Sequence, residues 1–152
     1  MIGYAPIYIG GNQQSTQEVT LSTLDFEVTT AQAGVNAQIG IYTGNAQGEP
    51  NNLIDGSGNI SLATTGIKSY SLTTTSYHAG WYWLALFHNA STAAFRLFDN
   101  LSTHPITGDS TSSFSLENVI FEVRGFASGL PSTATIGGSA SLDFPAVRIT
   151  MA

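Results

Sequence analysis

The chain has 152 residues, an ordinary length for one domain, and only 9% of them are Asp, Glu, Lys or Arg, against about 25% in a typical domain. The net charge is −6, and four Lys and Arg residues are too few for binding to nucleic acid or to an anionic membrane. The absence of Cys excludes disulfides and thiolate ligands. Ser, Thr and Asn supply the polarity, so we expect an uncharged surface suited to packing against protein.

Strand patterns run through the whole chain, and no segment has the pattern of a good helix. Runs of Val, Ile, Thr, Tyr and Phe are broken by Gly, Asn and Pro about every 8–12 residues, which is typical of a β-sandwich or barrel. We predict roughly eight or nine strands within residues 4–9, 24–29, 35–41, the short pair 53–54 and 59–62, 67–72, 81–87, 94–98, 118–124 and 146–150. Together they predict one all-β, antiparallel sandwich domain over residues 1–152.

Loops and turns separate these strands. Residues 44–52 combine turn-forming residues without periodicity and predict a loop, and residues 55–58 predict a turn. Pro6 favours an edge or terminal position for the first strand, because proline has no N–H to donate to a neighbouring strand. The segments 99–113 and 125–139 are rich in Ser, Thr, Gly and Pro, and loops of that length usually form interfaces or functional sites.

One predicted strand is apolar on both faces and contains both tryptophans. Its candidate core or interface residues are Trp81, Tyr82, Trp83, Leu84, Leu86 and Phe87. Since side chains alternate along a strand, Trp81 and Trp83 share one face. Two interpretations follow: a central strand in the core or at a subunit interface, or a sugar-stacking platform like those of carbohydrate-binding modules. The apolar opposite face favours the first.

Residues that often carry catalysis or bind metals are scattered. His78, His88 and His104 have neither metal-ligand spacing nor paired carboxylates beside them. The segment 55–59 faintly resembles a calcium loop but lacks the acidic residue that would close it, so a turn is the better interpretation. No Gly-x-Ser-x-Gly elbow is present for a serine nucleophile. We therefore predict a protein that is not an enzyme and that uses no cofactor or metal.

Seven short blocks follow one another in a recognisable order. They are residues 24–30, Gly40-Ile41-Tyr42, residues 48–54, 65–68, 80–85, Gly129-Leu130-Pro131 and residues 145–148. In order and spacing they resemble a domain of tailed-bacteriophage virion proteins, over nearly the whole chain. The resemblance implies a jelly-roll, often trimeric, that serves as a non-catalytic surface module at tail tips or as a head decoration (cement) protein. It implies no catalytic residues.

Two observations favour the head over the tail. The first strand begins close to Met1, so we expect no tail shaft before it, and the low charge suits a subunit that clamps capsomers. The sequence thus predicts a homotrimer on the outer surface of the phage head that binds the major capsid protein. The alternative is a tail receptor-binding or carbohydrate-binding module that recognises a host surface glycan.

Contact residues are predicted from exposure alone. The N-terminal residues 1–11 are a candidate capsid-contact arm, with Tyr4, Pro6 and Tyr8 as its contact side chains. The two long loops, 99–113 and 125–139, are the other candidates.

Overall fold

The structure is a computed structural model that describes residues 2–10, 18–96, 119–122, 125–140 and 147–151. Twelve strands make up most of it. The strands are β1 (Ile2–Ile9), β2 (Glu18–Thr30), β3 (Asn36–Gly44), β4 (Pro50–Gly56), β5 (Ile60–Ser61), β6 (Gly66–Ser71), β7 (Ser76–His78), β8 (Gly80–His88), β9 (Ala94–Phe95), β10 (Val119–Glu122), β11 (Gly138–Ala140) and β12 (Val147–Met151). A single 3-10 turn at Phe126–Ser128 is the one helical element in these ranges. No helix there is long and apolar enough to span a membrane.

The strands form two antiparallel sheets that pack as a β-sandwich. The larger sheet has the order β11-β10-β1-β8-β3-β4, and β5 also pairs with β3. The smaller sheet has the order β12-β2-β6, and the long strand β2 also pairs with β7 and β9. In chain order the described strands change sheet seven times: between β1 and β2, β2 and β3, β5 and β6, β7 and β8, β8 and β9, β9 and β10, and β11 and β12. The prediction of an all-β antiparallel sandwich is confirmed.

The described strands are more numerous than the eight or nine predicted. β7 and β11 have three residues each, too few for alternation to appear in the sequence. β4 runs from Pro50 to Gly56, through residues predicted as loop and turn, because it pairs with β3 at both ends, Pro50 with Gly44 and Gly56 with Gly40. Parts of the predicted strands at 97–98, 118, 123–124 and 146 lie outside the described residues.

The main core lies between the two sheets and follows the period of two along each strand. Its principal side chains are Leu24, Phe26 and Val28 of β2, Ile39 and Ile41 of β3, and Leu84 and Leu86 of β8. Each is at most 4% exposed. Burial of one such side chain contributes about 1.5–3 kcal/mol, so this layer supplies most of the stabilisation between the sheets.

The other face of the larger sheet is covered by residues 126–134, which we call the covering segment. The ring of Phe126 packs against Phe87 with a centroid distance of 4.9 Å. Leu130 fits against Gly40, where an added Cβ would lie only 2.9 Å from Leu130 Cδ1. Glycine is thus needed at that point of β3 for the segment to approach so closely.

Hydrogen bonds tie the covering segment to the sheet and to its edge. Leu130 N donates to Gln38 Oε1 at 2.9 Å. Leu53 N donates to the carbonyl oxygen of Ser132 at 2.9 Å, which continues the pairing beyond β4. Within the predicted contact loop 125–139, residues 126–134 therefore pack on their own sheet through the half-buried Phe126, Leu130 and Ala134, while the side chains between these contacts include exposed ones. The other predicted contact loop, 99–113, lies outside the described residues.

Candidate functional site

The register of β1 and β8 places a row of aromatic side chains on one face of the larger sheet. Pro6 lies directly opposite Trp83, and Tyr8 lies opposite Trp81. Tyr4 belongs to the same face, since side chains two residues apart along a strand point the same way. Exposure rises along this row: Tyr4 is fully buried, whereas Tyr8 and Trp81 are 44% and 42% exposed.

Tyr8 and Trp81 form an exposed pair, which we call the aromatic pair. Their ring centroids are 5.1 Å apart and their planes are tilted by 59°. Neither side chain belongs to the buried cluster beneath the covering segment, which includes Trp83 and Tyr4. The pair therefore exposes two aromatic surfaces to solvent, next to the part of this face that the covering segment buries.

A polar loop lies on the same side of the sheet. An added Cβ at Gly44 would lie 3.8 Å from both Trp83 Nε1 and the carbonyl oxygen of Glu49, so the loop reaches the tryptophan row. Asn45 Oδ1 accepts hydrogen bonds from the backbone N–H groups of Gln47 and Glu49, at 2.9 and 2.8 Å. Asn45 Nδ2 donates to Glu49 Oε2 at 3.0 Å. These bonds hold residues 45–49, the Asn45 loop, in one conformation.

Asp55 is a buried carboxylate with a structural role. Its Oδ1 accepts a 2.7 Å hydrogen bond from the Tyr70 hydroxyl. Its Oδ2 accepts bonds from the backbone N–H groups of Thr73 and Thr74, at 2.6 and 2.7 Å, and a third from the Thr73 hydroxyl. These bonds join β4 of the larger sheet to the turn after β6 of the smaller one.

The same contacts shift the pKa values of both partners. Burial tends to raise the pKa of Asp55, but the hydrogen bonds from Tyr70, Thr74 and Thr73 outweigh it and hold that pKa below its ordinary value. Burial and then the adjoining carboxylate raise the pKa of Tyr70 to about 12. The carboxylate is thus ionised and fully engaged at neutral pH, which suits a cross-link between sheets. The sequence interpretation of residues 55–59 as a turn missed it, because its partners lie far along the chain.

A second buried carboxylate, Asp25 on β2, lies opposite Arg148 on β12. Asp25 Oδ2 accepts from Arg148 Nε at 2.9 Å and from Nη2 at 2.8 Å. The Asp25 side chain is only 4% exposed, while that of Arg148 is 65% exposed. Asp25 Oδ1 has no hydrogen-bond partner within the described part of the chain. The pair fixes the edge strand β12 to β2 and leaves no reactive group open to solvent.

The two described histidines, His78 and His88, lie apart from each other. The His88 ring packs against Phe95 at 5.1 Å, and burial lowers its pKa, so it is neutral at pH 7. His78 is exposed and lies 3.9 Å from Glu18, and His104 lies outside the described residues. Within the described ranges, no group of three or more His, Cys, Asp or Glu side chains could hold a metal ion.

The residues of the apolar strand divide between core and surface. Trp83, Leu84, Leu86 and Phe87 are buried within this one chain, Tyr82 is half-buried, and Trp81 faces outward. β8 lies between β1 and β3, and its two faces meet the second sheet and the covering segment. Its interior residues are therefore occupied by contacts inside the chain.

The predicted N-terminal strand or arm is a paired strand in the structure. Residues 2–9 form β1, a strand paired with β8 along its whole length and with β10 over Ile2–Tyr4. The Tyr4 side chain is fully buried and does not reach the surface, and Pro6 is half-buried beyond the stretch paired with β10. The apolar side chains of this segment are buried in the sheet, which is why it is not a free arm. Of the three predicted contact side chains, Tyr8 alone is exposed.

Comparisons of the chain with known proteins gave no match. No family model, no curated protein and no solved structure matches the chain. A functional interpretation therefore depends on the aromatic pair, the Asn45 loop and the sequence blocks described above.

Proposed function

We propose that the chain is a non-catalytic structural protein of a tailed-bacteriophage virion, with a jelly-roll fold. Its proposed role is that of a homotrimeric decoration protein on the outer surface of the head, where it binds the major capsid protein and stabilises the shell. What supports the proposal is the place that the resembling sequence blocks take in the fold.

Three of the seven blocks, far apart in the sequence, pack together in the structure. Gly40 receives Leu130, which joins the block at 40–42 to that at 129–131. Tyr42 pairs with Trp83 in the register of β3 and β8, which adds the block at 80–85. Side chains that pack on one another have to match in volume. Resembling blocks that are in contact therefore support a fold shared with the phage domain better than resembling blocks without mutual contacts would.

The composition fits a subunit used in many copies. The chain has ten Asp and Glu and four Lys and Arg, so few long charged side chains lose freedom on contact. A trimer can occupy three-fold positions of a shell, and many copies multiply a modest contact by avidity. Because β8 is enclosed by its own chain, the trimer contacts of this proposal belong to the sheet edges and loops rather than to the apolar strand.

Immunogold electron microscopy of intact virions tests the location, with an antibody raised against this chain. Gold spread over the head supports decoration, gold at the tail tip moves the role to the tail, and unlabelled virions contradict both. Light scattering after size exclusion tests the trimer directly, because three copies of a 16.0 kDa chain are well separated in mass from one. A monomer at micromolar concentration contradicts the homotrimer.

A second candidate, a recognition module of the tail, is favoured by one specific observation. Trp81 and Tyr8 are both more than 40% exposed, whereas Tyr4, Tyr42, Trp83 and Phe87 on the same face are buried. Large aromatic side chains at a surface are typical of binding sites. This candidate role predicts binding to a host surface glycan through that pair.

A further inference from the structure

The aromatic pair is too small to be a protein interface by itself. A standard interface buries about 800 Å² on each partner. Tyr8 and Trp81 each expose less than half of their side chain, and the next residues of the row, including Trp83, are buried. Among the described residues, the other large exposed apolar side chains are Ile67 and Met151, which lie on strands of the smaller sheet and do not extend the patch. A patch of this size matches one or two sugar rings.

The geometry of the pair suits a sugar ring in particular. One face of many pyranoses presents C–H groups, which are attracted to the negative face of an aromatic ring. Two rings tilted by 59° give such a ligand two surfaces that meet at an angle. Gly44, the last residue of β3, lies beside Trp83, and the Asn45 loop that follows it brings polar groups, among them the Glu49 carboxylate, to this side of the sheet.

The charges around the pair select against an acidic ligand. The described cations, Lys68, Arg96 and Arg148, belong to the smaller sheet or to the residue just after β9. Each already has a partner there: Thr64, Glu27 and Asp25 respectively. The charged group on the loop beside the aromatic row is the Glu49 carboxylate. Among the described residues, no Lys or Arg therefore lies beside the pair to form an ion pair with an anionic polysaccharide.

We propose that Tyr8 and Trp81 form a stacking subsite for one ring of an uncharged glycan, with the Asn45 loop as its hydrogen-bonding side. The inference deepens the tail-recognition role and rests on that role for its biological setting. The binding itself is a property of the purified chain and is measured without virions.

The test uses hexasaccharides of glucose (β1,4-linked), mannose and N-acetylglucosamine as uncharged probes, and an oligogalacturonate as the charged one. Tryptophan fluorescence of the full chain is titrated with each probe, and calorimetry gives the affinities of the variants. We expect saturable binding of at least one uncharged probe and none of the oligogalacturonate. Trp81→Ala and Tyr8→Ala should each weaken binding by about ten-fold or more, since each removes a stacking surface.

Ile67→Ala is the matched control, because it also removes a large exposed apolar side chain but lies on β6. It should bind like the parent chain, and circular dichroism melts verify that all variants are folded. Binding that survives Trp81→Ala, a preference for the oligogalacturonate, or no binding across the uncharged probes would overturn the subsite. These binding results do not depend on where the gold label lies on the virion. The glycan subsite and the proposed virion location can therefore be disproved independently.

Discussion

The hydroxyl of Tyr42 on β3 donates a 2.8 Å hydrogen bond to the carbonyl oxygen of Pro131, 89 positions further along the chain. Both groups are buried, and the bond joins the middle of the larger sheet to the segment that covers it. Tyr42 also packs edge-on against Tyr4, with ring centroids 5.3 Å apart. One side chain thus links β1, β3 and the covering segment.

Tyr42→Phe keeps the ring and removes the hydroxyl. We expect the free energy of unfolding to fall by about 1–3 kcal/mol, because the Pro131 carbonyl loses its buried donor. Urea denaturation followed by fluorescence measures the change. Tyr8→Phe is the control, since Tyr8 is exposed, and the urea midpoint of this variant should equal that of the parent chain. Equal midpoints for Tyr42→Phe and the parent chain would show that the bond adds no stability.

Gly40→Ala should loosen the covering segment. The new Cβ would lie 2.9 Å from Leu130 Cδ1 and 3.0 Å from the Asp55 carbonyl oxygen, and a crowded core substitution costs about 1–3 kcal/mol. Limited proteolysis should cut this variant within residues 126–134 faster than the parent chain. Gly58→Ala is the matched control, because nothing lies within 4 Å of its added Cβ. Unchanged cleavage would mean that Leu130 shifts without freeing the segment.

Asp55→Asn should lower stability and change its dependence on pH. The amide cannot accept from all the donors of Thr73 and Thr74, so we expect a loss of about 1–3 kcal/mol at pH 7. In the parent chain the folded pKa of Asp55 is lowered, so its stabilisation is present above the ordinary value of about 3.9 and is lost as pH falls through the folded pKa.

Urea midpoints between pH 7 and pH 2 measure this pH dependence. The difference between the parent chain and Asp55→Asn should shrink at the acid end, because protonation removes the charge from the parent carboxyl too. A difference that stays constant down to pH 2 would contradict the role of the ionised form.

Arg148→Gln should destabilise the sandwich more than Arg96→Gln does. Asp25 is buried, so without Arg148 its carboxylate lacks a charged partner, and we expect a loss of about 1–3 kcal/mol. Arg96 pairs with Glu27 near the surface, where ion pairs contribute little. Thermal melts of the two variants at one salt concentration compare them, and equal losses would contradict the distinction.

The sequence was most informative where side-chain alternation alone decides the outcome. The apolar run ending in Phe87 predicted a strand enclosed on both faces, and β8 lies in the middle of its sheet. The same alternation put Trp81 and Trp83 on one face but could not separate them. Their different exposure depends on how far along that face the neighbouring elements reach, and these come from distant parts of the chain.

The polar cross-links could not be predicted for a similar reason. Asp55 has no local pattern that distinguishes a turn aspartate from a buried one, and its partners Thr73 and Thr74 lie beyond the next two strands. The covering segment reads as a polar loop because Ser, Thr and Gly outnumber Phe126 and Leu130 in it. Strand periodicity indicates which face is apolar but not what lies on it.

The covering segment also has a consequence for the order of folding. β3 and β8 can pair once residue 88 has left the ribosome, but the covering segment, which packs on the face that bears Tyr42 and Phe87, is made only with residues 126–134. Contacts so distant in sequence carry a large loop-closure entropy and form slowly. During synthesis the nascent chain therefore passes through a stage in which this aromatic face lacks the covering segment. A nascent chain stalled before residue 126 would expose an apolar, aggregation-prone surface.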